Sequence, residues 1–248
     1  MLKVSRAITT LLTFLLTSLT ASAADMRLKA PPAPPTPPPF SWSGFYIGGE
    51  LGGAFANGTV TDSLFGLSVS SDRTGFIGGG VVGFNYQISN VVFGVEADFD
   101  GTSLSATGNG VPTRLGTLQA SANTDWVSSV AGRIGYAAAD RVLFYVKGGG
   151  GWVRNTASIT NLNTSTSVSA SNTNGGWLIG GGLEYAFDPN WSIKGEFDYL
   201  RLNSFSWNSV LFPAETFTAN RNISMFKAGI NYRFGWNAPA PAPVVTRY

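Results

Sequence analysis

The residues that could do chemistry in this chain are carboxylates, lysines and arginines, because it contains neither histidine nor cysteine. Histidine is the most common general base and metal ligand, so its absence disfavours hydrolytic triads and metal or haem centres. Twelve charged residues lie in the interiors of glycine- and aromatic-rich segments, and those that share a segment are an even number of positions apart; Arg154 and Arg201, near segment ends, break this spacing. The twelve are Glu50, Glu96, Asp98, Asp100, Arg133, Lys147, Glu184, Lys194, Glu196, Asp198, Lys227 and Arg233. Such spacing predicts β-strands with a charge network on one face.

Eight segments with period-two alternation must position these charges, and we expect each to be a β-strand. The expected strands are 44–55, 74–87, 91–101, 125–136, 142–155, 176–187, 191–200 and 221–234. Each is long enough to cross a bilayer as a tilted barrel strand, which takes about 9 to 11 residues. Large aromatic side chains such as Phe45, Trp152 and Phe226 take the parity opposite to the charges. That distribution predicts an aromatic, lipid-facing outer surface and a polar interior.

The connections between the expected strands alternate strictly between short and long. The short ones are 88–90, 137–140 and 188–190, and the long ones are 57–73, 102–124, 156–175 and 203–220. Outer-membrane barrels have short periplasmic turns and longer extracellular loops. The sequence therefore predicts an all-β fold, an eight-stranded antiparallel up-and-down transmembrane β-barrel over residues 43–234, with both termini in the periplasm. Ser/Thr-rich alternation in the third long connection predicts a hairpin that extends beyond the membrane and turns around 161–163.

Composition argues against a soluble β-sandwich or a soluble lipocalin-like barrel. Charged residues make up 12% of the chain, whereas a soluble domain has about 25%. A soluble sandwich would bury its aromatic residues in a shared core and expose its charges. In this sequence the pattern is reversed: the aromatic residues are expected to face outward and the charged residues inward, which favours a barrel in lipid.

The segments that flank the expected barrel have their own signatures. Residues 1–23 are predicted to be a signal peptide, because Lys3 and Arg6 precede an apolar stretch at 8–19 and a small-x-small cleavage site at 21–23. Residues 24–42 are expected to form a proline-rich periplasmic arm, and 235–248 a Pro/Ala-rich periplasmic tail. Without Lys3 and Arg6, the 16 basic residues fall to 14 and equal the 14 acidic ones. A neutral mature chain disfavours nucleic acid as a partner.

The interior charges have two interpretations. Eight strands leave an interior just wide enough to be filled by side chains, so a network of ion pairs and water would plug the barrel. Alternatively, the same residues would line a narrow conductance path that opens when the network rearranges. The sequence GGGVVG at 78–83 matches a dinucleotide-binding glycine pattern. It lies inside an expected strand instead of between a strand and a helix, so no cofactor is predicted.

Several longer motifs stand out: the leader ending in ASAAD, the proline-rich arm, FSWSGFYIG at 40–48, GVEAD at 94–98, GGLEY at 181–185 and AGINYRF at 228–234. Together they resemble the small outer-membrane proteins of Brucella and rhizobial alphaproteobacteria, over essentially the whole mature chain. The resemblance implies an OmpA-like barrel of the porin-family type that is an abundant surface antigen. It also implies that Tyr232 and Phe234 form the aromatic signal that the barrel-assembly machinery reads, although the tail 235–248 follows them here.

These observations predict a non-enzymatic outer-membrane barrel and surface antigen that supports envelope integrity. Its expected partners are outer-membrane lipid, lipopolysaccharide and the assembly machinery, and its four extracellular loops could contact a host surface. The alternative is a small porin-like diffusion channel for ions or small solutes. An outer-membrane lipase, acyltransferase or protease is disfavoured because the chain lacks the histidine of their catalytic groups. Haem capture is disfavoured because axial ligation would fall to tyrosine or to one of 3 methionines.

Overall fold

The computed structural model of this chain describes residues 40–62, 68–114, 116–208 and 216–235. Within these ranges no helix is both long and apolar enough to cross a membrane. The described strands are β1 (Gly44–Asp62), β2 (Ser68–Ile88), β3 (Val91–Thr102), β4 (Ser105–Thr107), β5 (Val111–Thr113), β6 (Gly116–Ala139), β7 (Val142–Asn161), β8 (Thr166–Ala186), β9 (Trp191–Leu202), β10 (Phe205–Asn208) and β11 (Thr216–Gly235). The expected signal peptide, most of the arm and nearly all of the tail lie outside the described residues.

Eight long strands form a closed antiparallel ring. They pair in the order β1-β2-β3-β6-β7-β8-β9-β11, and β11 pairs back onto β1. The closing register runs from Gly44 opposite Gly235 to Asp62 opposite Phe217. Closure pairs the backbone polar groups of every strand, which a membrane requires because hydrocarbon offers no hydrogen bonds. The predicted eight-stranded up-and-down barrel is confirmed.

The strands reach further into the long connections than the sequence predicted. β6 begins at Gly116 instead of residue 125, and β8 begins at Thr166 instead of residue 176. The predicted hairpin is present, and β7 and β8 pair as far as Asn161 opposite Thr166. β4, β5 and β10 were not predicted; β4 and β5 pair with β6, and β10 pairs with β11, at the end of the barrel that carries the long connections. Ser, Thr and Asn give little apolar periodicity, but neighbouring strands still satisfy the backbone polar groups there.

The outer wall of the barrel is apolar, with aromatic pairs towards both ends. Phe76 is 81% exposed and Leu51 is 71% exposed. Towards the end with the short turns, hereafter the short-turn end, Phe45 packs on Phe84 with ring centroids 4.7 Å apart. Towards the other end, hereafter the long-connection end, Phe197 packs on Phe226 at the same separation. This wall suits a lipid environment, because it would be unusually apolar in water.

The barrel interior contains three layers along its axis, which residues of β9 illustrate in order. Lys194, Glu196 and Asp198 lie in a middle layer of charges, and Leu200 and Leu202 follow towards the long-connection end. The latter two belong to a cluster that we call the apolar layer: Ala54, Ile77, Leu104, Val127, Ala131, Val153, Leu178, Leu200, Leu202, Ile223 and Met225. At the short-turn end lies a second cluster, the Trp42 cluster: Trp42, Val92, Ala137, Leu143, Tyr145 and Ala186.

Candidate functional site

The candidate site is the middle layer, in which charges from seven strands meet in the barrel interior. All twelve charged residues singled out from the sequence are buried there or next to it. We call eleven of them, without Arg233, the charge network. Alternate positions of a strand face one side, so the seven charged strands bring these side chains together around the barrel axis.

Lys147 on β7 lies at the centre of the charge network. Its Nζ donates to Glu196 Oε1 at 2.7 Å and to Glu96 Oε1 at 3.1 Å. It is also 3.1 Å from Asp198 Oδ2 and 3.8 Å from Asp98 Oδ2. One ammonium therefore compensates four carboxylates on two opposite strands, which a buried cation requires because it has lost its water shell.

Lys227 and Lys194 share the carboxylate of Glu50. Lys227 Nζ is 2.6 Å from Glu50 Oε1 and Lys194 Nζ is 2.8 Å from Glu50 Oε2. Lys227 Nζ also lies 3.1 Å from Asp198 Oδ2 and 3.5 Å from Asp100 Oδ2. The three lysines are thus linked through common acids, so that no ion pair in this layer is independent of the others.

Arg133 on β6 connects the charges to two tyrosines. Its guanidinium carbon is 4.7 Å from the ring centroid of Tyr46 and 5.0 Å from that of Tyr145. Nη1 donates to Glu96 Oε2 at 3.2 Å, and the Tyr46 hydroxyl donates to the same oxygen at 2.7 Å. The position of the Tyr46 ring depends on Gly83, because a Cβ at that position would overlap the tyrosine ring. Cation–π contact and hydrogen bonds together hold the guanidinium in one orientation.

Glu184 closes the network towards the short-turn end. It accepts hydrogen bonds from Ser192 Oγ at 2.5 Å and Asn231 Nδ2 at 3.0 Å, and lies 3.4 Å from Arg133 Nη2. Asn231 and Ser192 are fully buried. These uncharged partners were not singled out from the sequence, although both have the inward parity of their strands. An uncharged polar residue at an inward position gives only a weak signal in the sequence, because a buried Ser or Asn resembles a small core residue.

The charge network contains more acids than bases and leaves two aspartates poorly paired. Neither carboxylate oxygen of Asp100 or of Asp198 has a hydrogen-bond partner among the described residues, and their compensation comes from lysines 3.1 to 3.5 Å away. Glu50, Asp98 and Asp100 have oxygens within 4.8 Å of one another, as a cation site would need. The Lys227 ammonium lies against the same three carboxylates, at 2.6, 3.8 and 3.5 Å. It already supplies positive charge to these acids.

Arg233 does not join the charge network. Its guanidinium carbon lies 4.5 Å from the Trp42 ring and 5.0 Å from the Phe40 ring, and Nη1 donates to the Ser41 carbonyl oxygen at 3.0 Å. The Trp42 backbone N–H donates to Gln87 Oε1 at 2.7 Å, and Trp42 is 0% exposed. The last residues of the expected arm therefore pack on the barrel and close its short-turn end.

The geometry suits a structural role better than catalysis. The ion-paired side chains of the charge network are at most 3% exposed. The apolar layer lies on one side of them and the Trp42 cluster on the other. A general acid or base needs a substrate within hydrogen-bond reach. The arrangement instead fixes seven of the eight ring strands to one another through buried charge pairs.

Comparison with known proteins agrees with this architecture. A family model described as an outer membrane protein beta-barrel domain matches residues 11–234. The chain belongs to this family. Among curated relatives, it is 33% identical over 230 residues to the 31 kDa outer-membrane immunogenic protein of Brucella melitensis, covering 87% of this chain and 94% of that protein. It is 30% identical over 200 residues to the 22 kDa outer membrane protein of Rhizobium leguminosarum, covering 79% and 80%.

Among solved structures, this member of the family is similar to Ail, the attachment invasion locus protein of Yersinia pestis. The TM-score is 0.41 and the identity 14%, over 77% of this chain and 99% of that one. The family membership and the named relatives place the protein in the outer membrane.

Proposed function

We propose that the protein is a non-enzymatic structural barrel with a closed interior, which stabilises the outer membrane and presents its long connections to the surroundings. The observation that carries this proposal is the sealing of the charge network between the apolar layer and the Trp42 cluster. Side chains that fill a narrow barrel leave no continuous water path for ions. The immunogenic relatives support a surface-exposed end.

The test of a closed interior is single-channel conductance of the refolded mature chain in planar bilayers. We expect no conductance steps from protein whose heat-modifiable gel migration shows that it is folded. Steps whose ion selectivity changes in Lys147→Ala or Glu96→Ala would contradict the proposal. They would instead support the alternative, a small diffusion channel through the charge network.

The proposed orientation places the short turns and both termini in the periplasm, with the long connections outside. Outer-membrane barrels have short periplasmic turns and longer extracellular loops, and the connection lengths of this chain support the same orientation. Because the chain has no cysteine, single-cysteine variants report one position each. We expect Thr164→Cys, in the exposed β7–β8 turn, to react with a membrane-impermeant maleimide on intact cells. Asp140→Cys, in the exposed β6–β7 turn, should react only after the cells are broken; the reverse pattern would invert the orientation.

We also propose that Tyr232 and Phe234 are read by the assembly machinery. The two rings pack edge to face with centroids 5.1 Å apart, and Tyr232 contacts Trp191 at 5.0 Å on the outer wall. Phe234→Ala should lower the amount of folded protein in the membrane of cells without changing refolding in detergent. The matched control is Phe226→Ala, an outward aromatic of the same strand. Equal losses for both variants would contradict a specific signal.

A further inference from the structure

A cavity lies at the long-connection end of the barrel, on the outer side of the apolar layer. Its volume is about 530 Å³. Leu202 and Ile223 of the apolar layer form part of its lining, and they separate it from the charge network. We call it the mouth cavity. Its volume is within the range of sites for small organic ligands, about 300 to 1,000 Å³.

Two arginines line the mouth cavity, and no carboxylate of the described residues pairs with either. Arg73 on β2 and Arg221 on β11 flank β1, where their register partners are the small residues Ala56 and Gly58. Arg73 is four positions from the buried Ile77, and Arg221 is two positions from the buried Ile223. Both arginines therefore face the barrel interior. In the part of the chain that the structure describes, neither guanidinium has a hydrogen bond or a carboxylate partner. Among the described residues Arg73 is the like charge near Arg221, so the two cations repel each other.

A third unpaired donor lies in the same lining. Asn155 Oδ1 accepts a hydrogen bond from Thr124 Oγ1 at 2.9 Å, which fixes the amide orientation. Its Nδ2 is buried and has no hydrogen-bond partner among the described residues. A buried donor without an acceptor is unfavourable. The cavity is therefore lined by hydrogen-bond donors of two guanidinium groups and one amide, and none of them has an acceptor among the described residues.

The lining specifies the chemistry of the occupant. Guanidinium groups bind phosphate, sulfate and carboxylate oxygens in a bidentate manner. The amides of Asn172 and Asn174 share one hydrogen bond of 3.3 Å and keep a further donor and acceptor for hydroxyl groups. Alanine and leucine side chains between them offer apolar patches to C–H groups. No aromatic residue is part of the described lining, which disfavours a flat apolar ligand.

We propose that the mouth cavity binds an anionic saccharide, meaning a sugar that carries phosphate, sulfate or carboxylate groups. The two arginines bind the acidic groups, and the amides bind the hydroxyls. The biological relevance of this site rests on the proposed function, which places the long-connection end at the cell surface. Two sources share the chemistry: lipopolysaccharide of the same membrane, and acidic glycans outside the cell.

The test is calorimetric titration of the full mature chain, refolded in nanodiscs of zwitterionic phospholipid. The probe is a sulfated disaccharide, and maltose is the neutral comparison. We expect binding of the sulfated sugar alone, and at least about tenfold weaker binding in Arg73→Gln and in Arg221→Gln, since each loses a charge-assisted hydrogen bond. The affinity of Arg221→Lys for the sulfated disaccharide should lie between those of Arg221→Gln and the parent protein, because lysine keeps the charge but loses the bidentate geometry.

Arg201→Gln is the matched control. Arg201 pairs in register with Asn222, so it lies at the height of the mouth cavity, but its side chain is exposed on the opposite face of the wall. We expect the parent affinity in this variant. Three results would overturn the site. The affinity for the sulfated disaccharide could fall equally in Arg201→Gln and Arg221→Gln, maltose could bind as tightly as the sulfated sugar, or Arg73→Gln and Arg221→Gln could both keep the parent affinity.

The same preparation separates this proposal from the proposed function. Both ends of a nanodisc-embedded barrel are open to solvent, so an inverted orientation in cells would leave the titration unchanged. Heat-modifiable migration of each variant shows whether it is folded. A further arm adds lipopolysaccharide to the nanodisc. Loss of disaccharide binding there assigns the site to the membrane's own lipid, and retained binding assigns it to external glycans; both results keep the anionic-saccharide site.

Discussion

At the scale of single residues, Lys147 shows why the charge network must be treated as one unit. It is 0% exposed at its side chain and touches four carboxylates from β3 and β9. Removing a buried cation leaves its acids uncompensated, and the cost exceeds the net value of any single pair. A surface ion pair behaves differently, because water replaces the lost partner. The chain contains both kinds, which permits a matched comparison.

We therefore expect Lys147→Met to lower the free energy of unfolding by about 3 to 5 kcal/mol. The measurement is urea unfolding of the refolded chain in phospholipid vesicles. Lys147→Met combined with Glu196→Gln should cost less than the sum of the single variants, by at least about 1 kcal/mol, because the pair at 2.7 Å is lost only once.

The control for this prediction is Arg154→Met. Arg154 Nε lies 3.7 Å from Asp125 Oδ2, and the two side chains are 47% and 37% exposed. Its loss should cost no more than about 1 kcal/mol. If Lys147→Met were equally mild, water would have to reach the charge network, and the sealed interior would be wrong.

At the scale of elements, the strands differ in stability along their length. The membrane part of β7 and β8 carries Lys147, Val153 and Leu178 into the interior. The outer part of the same hairpin exposes nearly every side chain between residues 157 and 173. Stability follows buried contacts more than ladder length, so the outer hairpin should contribute to recognition and little to folding.

Replacing residues 158–169 by an Asn-Gly turn tests this division. The change joins Ala157 to Ala170, which already face each other across the hairpin, through a two-residue turn that suits antiparallel strands. We expect the free energy of unfolding in urea to change by less than about 1 kcal/mol, since few buried apolar contacts are lost.

Leu178→Ala on the same strand gives the contrasting case. Leu178 belongs to the apolar layer and is 3% exposed, so its truncation should cost about 2 to 5 kcal/mol. A larger loss from the shortened hairpin than from Leu178→Ala would show that the outer sheet, and not the barrel interior, dominates stability.

At the scale of the whole molecule, the three layers isolate charge from solvent. The apolar layer and the Trp42 cluster lie on either side of the charge network. Salt screens exposed charges strongly and buried pairs weakly. We expect the free energy of unfolding in urea to change by less than about 1 kcal/mol between about 0.05 M and about 1 M NaCl.

A variant that opens one layer provides the comparison for this salt series. Leu200→Ala combined with Met225→Ala removes two large side chains from the apolar layer. Ions should then reach the network, and the stability of this variant should fall further as salt rises. A parent protein with the same salt dependence as this variant would contradict the isolation of the network.

The sequence by itself determined the barrel, its eight ring strands and the face of the twelve selected charged residues. These features depend on local patterns: period-two alternation, the opposed parity of aromatic and charged side chains, and alternating connection lengths. All twelve selected charges are buried, because alternation fixes the side of the strand whatever the partner. The family resemblance likewise depended on short motifs that can be recognised in the amino-acid sequence alone.

Only the tertiary structure decided which charges meet and what seals them. Lys227 and Glu50 are 177 positions apart and 2.6 Å from each other, because ring closure brings the last strand beside the first. Arg233 has the correct parity yet leaves the network for Trp42 and Phe40. Arg73 and Arg221 lay in or near expected loops, and only strand extension and register place both in the mouth cavity. Pairing depends on register and height along the axis, which no local pattern encodes.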